Sequence, residues 1–161
     1  MKDAMIVIAQ FNQLQNLKLL RLLDQLTDAQ RKQDVGTNYT FGSIHGALDR
    51  MAGTLAMSLN MLSDEGPGGP GGPGGPGMGA PKYDIEDYEA LKKKIIETDA
   101  GYVAGFQAIS EEKCVSGQGV PLYDMVMKGM FIANFVRGAV CQALKAEFGI
   151  ESDLISGALL S

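Results

Sequence analysis

A tract of glycine and proline constrains this chain more than any other feature. Residues 66–79 read GPGGPGGPGGPGMG and hold nine of the 21 glycines and four of the six prolines. Glycine loses the most backbone entropy on folding, and proline supplies no amide hydrogen, so the tract builds neither helix nor strand. It is too short for a collagen helix. Its prolines are spaced by glycine, which removes the stiffness that poly-proline ligands use. The expectation is a flexible loop over 64–83 within a single domain spanning 1–161. As a coil, those twenty residues place their ends about 25 Å apart, and fully extended they reach about 65 Å. A 20-residue helix is about 30 Å long. The loop therefore permits a crossover between parallel helices, but does not require one.

The flanking segments read as helices. Over 4–28, Ile6, Val7, Phe11, Leu14, Leu17, Leu20 and Leu23 recur at three- and four-residue steps with no glycine or proline between them. A second helix is expected from Gly42-Ser43, where Ser43 can accept from a free amide of the first turn. Its stripe is Ile44, Leu48, Met51, Leu55 and Leu59 or Leu62. A third is expected to open at Asp84, with Asp87 as a capping partner. It carries Ile85, Tyr88, Leu91, Ile95, Ile96, Ala100, Val103, Phe106 and Ile109. A fourth starts at Pro121, a favoured first-turn residue, and stops at Gly149. It uses Leu122, Met125, Gly129, Ile132, Ala133, Val136, Val140, Ala143 and Leu144. A short apolar helix follows around Leu154, Ile155, Ala158 and Leu159. No useful stretch alternates with period two. The expected fold class is all-α: a four-helix bundle, up-down-down-up with the long crossover between helices two and three, plus the short C-terminal helix.

Composition excludes several functions. The net charge of -5 argues against a nucleic-acid binder, which needs clustered cations. Lys92-Lys93-Lys94 follows Asp84, Glu86, Asp87 and Glu89 and reads as a solvated helix face. No apolar run approaches the ~20 residues of a membrane span, and the N-terminus does not read as a signal peptide. Cys114 and Cys141 lie far apart and make no CxxC pair, so neither a disulfide framework nor a zinc finger is expected. A cytoplasmic protein is the default.

The helix-two sequence FGSIHGALDRMAG and the helix-four sequence MVMKGMFIANFVRGAV carry the chain's most specific pieces: Ser43-Ile44-His45-Gly46, Leu48 and Arg137-Gly138. With the leucine-rich first helix and its Asn12 and Asn16, the chain resembles the DinB/YfiT-like superfamily of small bacterial four-helix bundles. The likeness covers nearly the whole chain apart from the Gly-Pro insertion. It implies a site built from one histidine on helix two and two on helix four, holding zinc or nickel for transferase or hydrolase chemistry, often thiol-linked. It also implies a homodimer, to which the apolar tail 154–160 would contribute.

The resemblance places those three ligands at Arg50, Ile132 and Val136. An arginine, an isoleucine and a valine offer a metal no donor, and the arginine repels it. The reading is therefore a family member whose metal site has degenerated, which holds no cofactor and acts as a small-molecule-binding or interaction protein. The alternative is a metal-dependent enzyme with displaced ligands. His45 and Asp49, one turn apart, would then be helped by another element or by a cysteine thiolate. The candidate pocket is His45, Asp49, Arg50, Ile132, Val136 and Arg137, with a small molecule as the possible ligand.

His45, the only histidine, can equally be a structural residue bonded to Asp49 or to a loop carbonyl. Arg50 can bind a carboxylate or phosphate with its forked donors, or face solvent. Cys141 reads as a small core residue. Cys114, in a loop expected over 111–119, reads as the more reactive thiol. Met51, Met57, Met61, Met125, Met127 and Met130 read as core filling, with a methionine-lined apolar pocket as the other option.

Overall fold

The computed structural model describes residues 1–36, 42–60, 62, 83–115, 122–152 and 154. Among them are six helices and no strand: α1 (Lys2–Leu23), α2 (Asp28–Lys32), α3 (Ile44–Asn60), α4 (Tyr88–Ala108), α5 (Glu111–Val115) and α6 (Leu122–Phe148). The described residues are all-α, as the periodicity predicts. The Gly-Pro tract and the expected C-terminal helix lie outside the described residues, Leu154 excepted.

The first helix is shorter than its pattern suggests. It ends at Leu23, and a new helix begins at Asp28. The break is chemical. Thr27 makes a full capping box, its Oγ1 accepting from the Gln30 amide at 3.2 Å while the Gln30 side chain accepts from the Thr27 amide at 2.9 Å. Arg31 then turns back and donates to the carbonyls of Leu23 and Leu26; the Leu23 carbonyl also accepts from the Leu26 amide at 3.1 Å. Its guanidinium lies 3.8 Å from the centre of the Tyr88 ring.

Helix α4 also starts later than expected. Asp87 is its N-cap, accepting from the Ala90 amide at 2.7 Å. Asp84 lies before the helix with φ of 54°, in the left-handed region. Ser43 accepts from the Gly46 amide at 3.0 Å and so opens α3 as its hydroxyl allows.

Helix α1 packs on α4 and α6, and α3 packs on the same two helices. The ends of α1 and α4 meet in opposite sense. The Met1 amine reaches Glu111 at 2.6 Å and Lys2 Nζ reaches the Gln107 carbonyl at 2.8 Å. At the other end, Lys92 pairs with Asp24 at 2.7 Å and the Tyr88 hydroxyl donates to the Leu20 carbonyl at 3.2 Å. Along α3 and α4 the contacts advance together: Asp49 with the amides of 83–85, Leu55 with Tyr102, Leu62 with Gly105. Glycines bring these helices close. A Cβ on Gly129 of α6 would collide with Ser58 Oγ, and one on Gly101 would sit 2.7 Å from Leu59.

The core includes Leu48, Met51, Leu55, Leu91, Ile95, Tyr102, Val136 and Leu144, all sealed from solvent. Each aliphatic side chain buried this way contributes about 1.5–3 kcal/mol. Met51 and Met130 are core residues and Met57 and Met127 half-buried; the Met61 and Met125 side chains lie outside the described residues. The apolar pattern of α1 proves to be two stripes. Met5, Ala9, Leu19, Leu20 and Leu23 face inward, while Val7, Phe11 and Leu14 remain exposed. Among the described residues no helix is long and apolar enough to cross a membrane.

Candidate functional site

Two polar assemblies stand out. The first lies where α3 begins and the chain returns toward α4. Helix α3 carries His45 and Asp49 one turn apart, which puts both on one face. His45 Nε2 lies 2.6 Å from the Ile85 carbonyl. A carbonyl only accepts, so Nε2 donates, and in the neutral ring Nδ1 keeps the lone pair. His45 Nδ1 is buried with no hydrogen-bond partner among the described residues. Asp49 is 5 % exposed and accepts from three consecutive amides: Tyr83 at 3.0 Å, Asp84 at 3.1 Å and Ile85 at 3.3 Å. Three charge-assisted bonds of this kind hold the strained turn at Asp84.

Beside this clamp lies a cavity of about 480 Å³ lined by Lys32, Ser43, His45, Gly46, Asp49, Arg50, Asp84, Ile85 and Glu86. Both charge signs line it. Lys32 is tethered to Asp28 at 3.0 Å and to Glu86 at 3.7 Å. Arg50 is half-buried at the wall.

The second assembly is internal. On α1, Asn12 and Asn16 are 2 % and 1 % exposed; on α4, Asp99 is 1 % exposed; on α6, Arg137 is 3 % exposed. Asn12 Nδ2 donates to Asp99 at 2.8 Å, and Asn16 Nδ2 donates to both its oxygens at 3.1 and 2.9 Å. Arg137 donates to the Asn12 oxygen at 2.8 Å and to those of Asn16 and Asn134. Each of the two α1 asparagines thus relays between a buried cation and a buried anion. Burial pushes the Asp99 carboxyl up to about 6, against the pull of the Asn16 hydrogen bonds and the Arg137 charge. Burial also lowers Arg137 to about 10, against the opposing charge of Asp99. In both groups desolvation exceeds the attraction.

The structure thus divides the expected pocket. His45, Asp49 and Arg50 share one cavity wall. Ile132, Val136 and Arg137 do not line it: Ile132 is 43 % exposed, Val136 is sealed in the core, and Arg137 belongs to the internal network. Among the described residues no three His, Cys, Asp or Glu side chains gather closely enough to hold a metal ion. Arg50, Ile132 and Val136, the positions that the resemblance assigns, offer zinc or nickel no donor, and His45 and Asp49 alone are too few for such a site.

Cys114 corrects an expectation. It sits in α5 at 1 % exposure, and burial raises its thiol. Cys141 is buried and raised for the same reason. Neither is poised as a nucleophile. Asp99 lies outside the expected pocket. Its signal was present: it continues the buried Leu91, Ile95, Tyr102, Phe106 stripe of α4.

A scan against protein-family models returned no match to this chain, and searches of curated proteins and of solved structures returned none either.

Proposed function

We propose that the chain is a cytoplasmic small-molecule-binding protein of DinB/YfiT type, a homodimeric up-down-down-up four-helix bundle that has given up the three-histidine metal site. The motifs around His45 and Arg137 support the family. The opposed α1–α4 contacts and the advancing α3–α4 contacts support the helix order, and the 64–83 loop is long enough for the crossover.

One observation carries the binding role: the cavity joins Lys32 and Arg50 to Asp84 and Glu86 around a histidine whose second ring nitrogen has no hydrogen-bond partner among the described residues. Walls of both signs suit a small zwitterion, its carboxylate toward Arg50 and its ammonium toward the acidic side. A polar pocket of this size holds such a molecule with room for bridging water.

Calorimetric titration tests the proposal with glycine, cysteine, inorganic phosphate, zinc and nickel. Glycine and cysteine are expected to bind alike, and both to weaken about tenfold or more in Arg50→Ala. Cysteine binding alone would favour the thiol-linked enzyme reading. Stoichiometric zinc or nickel lost in His45→Ala would favour the displaced-ligand metalloenzyme. No binding by glycine or cysteine would defeat the zwitterion reading.

A further inference from the structure

The cavity draws its walls from two places in the chain. Its cations, Lys32 and Arg50, stand on α2 and α3. The acids Asp84 and Glu86 stand on the turn that leads into α4, and both are exposed. Residues 83–87 belong to no helix, so no regular ladder of hydrogen bonds holds this second wall.

Side chains of α3 hold it instead. Asp49 Oδ2 accepts from the amides of Tyr83 and Asp84 at 3.0 and 3.1 Å, and its Oδ1 accepts from that of Ile85 at 3.3 Å. His45 Nε2 donates to the Ile85 carbonyl at 2.6 Å. Asp84 stands at φ 54°, a backbone conformation that a residue with a Cβ keeps when its surroundings fix it. The left-handed residue is what lets successive amides converge on one carboxylate. Asp49 is therefore spent on backbone: it is 5 % exposed, and Oδ2 already accepts twice.

Resting on the binding function proposed above, we infer that Asp49 is the positioning residue that sets the specificity of this site. It acts on the ligand through the turn. By fixing the 83–85 backbone it keeps Asp84 and Glu86 in the wall of a cavity that also holds Arg50, and so makes the site prefer a zwitterion to a plain carboxylate.

The coupling follows from linkage. An ammonium is held by the two acids only in molecules whose turn is in place, so affinity for a zwitterion scales with that fraction. Reciprocity requires the zwitterion to order the turn by the same factor. A carboxylate held at Arg50 alone meets neither acid and does not depend on the turn.

Amide-resonance titrations of the wild type, Asp49→Ala and Asp49→Asn with glycine and with acetate test the assignment, joined to hydrogen exchange at 83–85. In Asp49→Ala, glycine should weaken about tenfold or more while acetate changes less than about twofold. Exchange at 83–85 should be fast in that variant and slow about tenfold when glycine saturates it. Asp49→Asn removes the charge but keeps one carbonyl oxygen, which can still accept from Tyr83 and Asp84. Its glycine loss should be only about threefold, with acetate again unchanged, and this variant reads the selectivity even if the alanine one does not fold. Equal glycine losses in the two variants, or acetate that tightens in both, would assign the effect to the charge of Asp49 and overturn its positioning role. A wild-type ratio of glycine to acetate affinity in Asp49→Asn, or exchange that glycine leaves fast in Asp49→Ala, would also overturn it. A wild type that binds glycine but not acetate overturns the division into two walls. One that binds neither overturns the proposed site itself.

Discussion

Replacing Arg137 with leucine should destabilise the fold by an amount that depends on pH. Arg137 is the cation of a closed network in which Asn12 and Asn16 each give an amide hydrogen to Asp99 and take one from Arg137. The leucine leaves both asparagine oxygens buried without a donor and leaves Asp99 without its countercharge. Near pH 7.5 Asp99 is ionised, and removing one partner of a buried pair costs about 3–5 kcal/mol. Near pH 5, below the raised Asp99 value of about 6, that carboxyl is mostly protonated. Only the unsatisfied amide oxygens then remain, and the loss should fall to about 1–3 kcal/mol. Urea unfolding followed by circular dichroism at the two pH values reads both numbers. An equal loss at both, or a loss below about 1 kcal/mol at pH 7.5, would refute the network as drawn.

The same carboxyl gives the wild type a pH dependence. Asp99 titrates near 4 when unfolded and near 6 when folded, so the native state binds the extra proton between those values. Its contribution is full below about pH 4 and is lost as pH rises through about 6, a fall of about 3 kcal/mol that denaturation of Asp99→Asn should lack. Asp49→Ala should cost about 2–4 kcal/mol and speed hydrogen exchange at the amides of Tyr83, Asp84 and Ile85, since each loses its acceptor. Unchanged exchange there would remove the clamp. Gly129→Ala should cost about 1–3 kcal/mol because its Cβ would collide with Ser58, and Ser58→Gly should recover most of it. Cys114 and Cys141 should react with a thiol reagent only as fast as the protein opens, which a labelling rate measured against urea concentration checks.

Much of the fold was legible because helix periodicity and caps are local. The hydroxyl of Ser43, the carboxylate of Asp87 and the apolar stripes of α3 and α4 act within a turn or two of themselves. The misplacements were also local in cause. The break at Thr27 came from a capping box with Gln30 that competes with an apolar pattern continuing past it. Val7, Phe11 and Leu14 match helical spacing as well as the buried residues do, so periodicity alone could not assign the inward side of α1. Cys114 read as a loop residue because α5 has only five residues, too few to show a period.

The site was legible in halves. His45, Asp49 and Arg50 are neighbours in sequence, and helical spacing brings them to one wall. Arg137 stood out as half of an Arg-Gly motif. Its partners come from two other helices, and Asp99 reads locally as one more acid in a charged helix. What joins it to Asn12, Asn16 and Arg137 is tertiary packing, which no single segment records.

The claim that the wall around His45 is a binding site is tested most directly by backbone amide resonances during a glycine titration. Saturable shifts are expected at Ser43, Gly46, Arg50 and Ile85, absent in Arg50→Ala, with the α1 and α6 amides still. Shifts confined to Phe11 and Phe131–Phe135, or none at the cavity wall when glycine is in large excess, would contradict it.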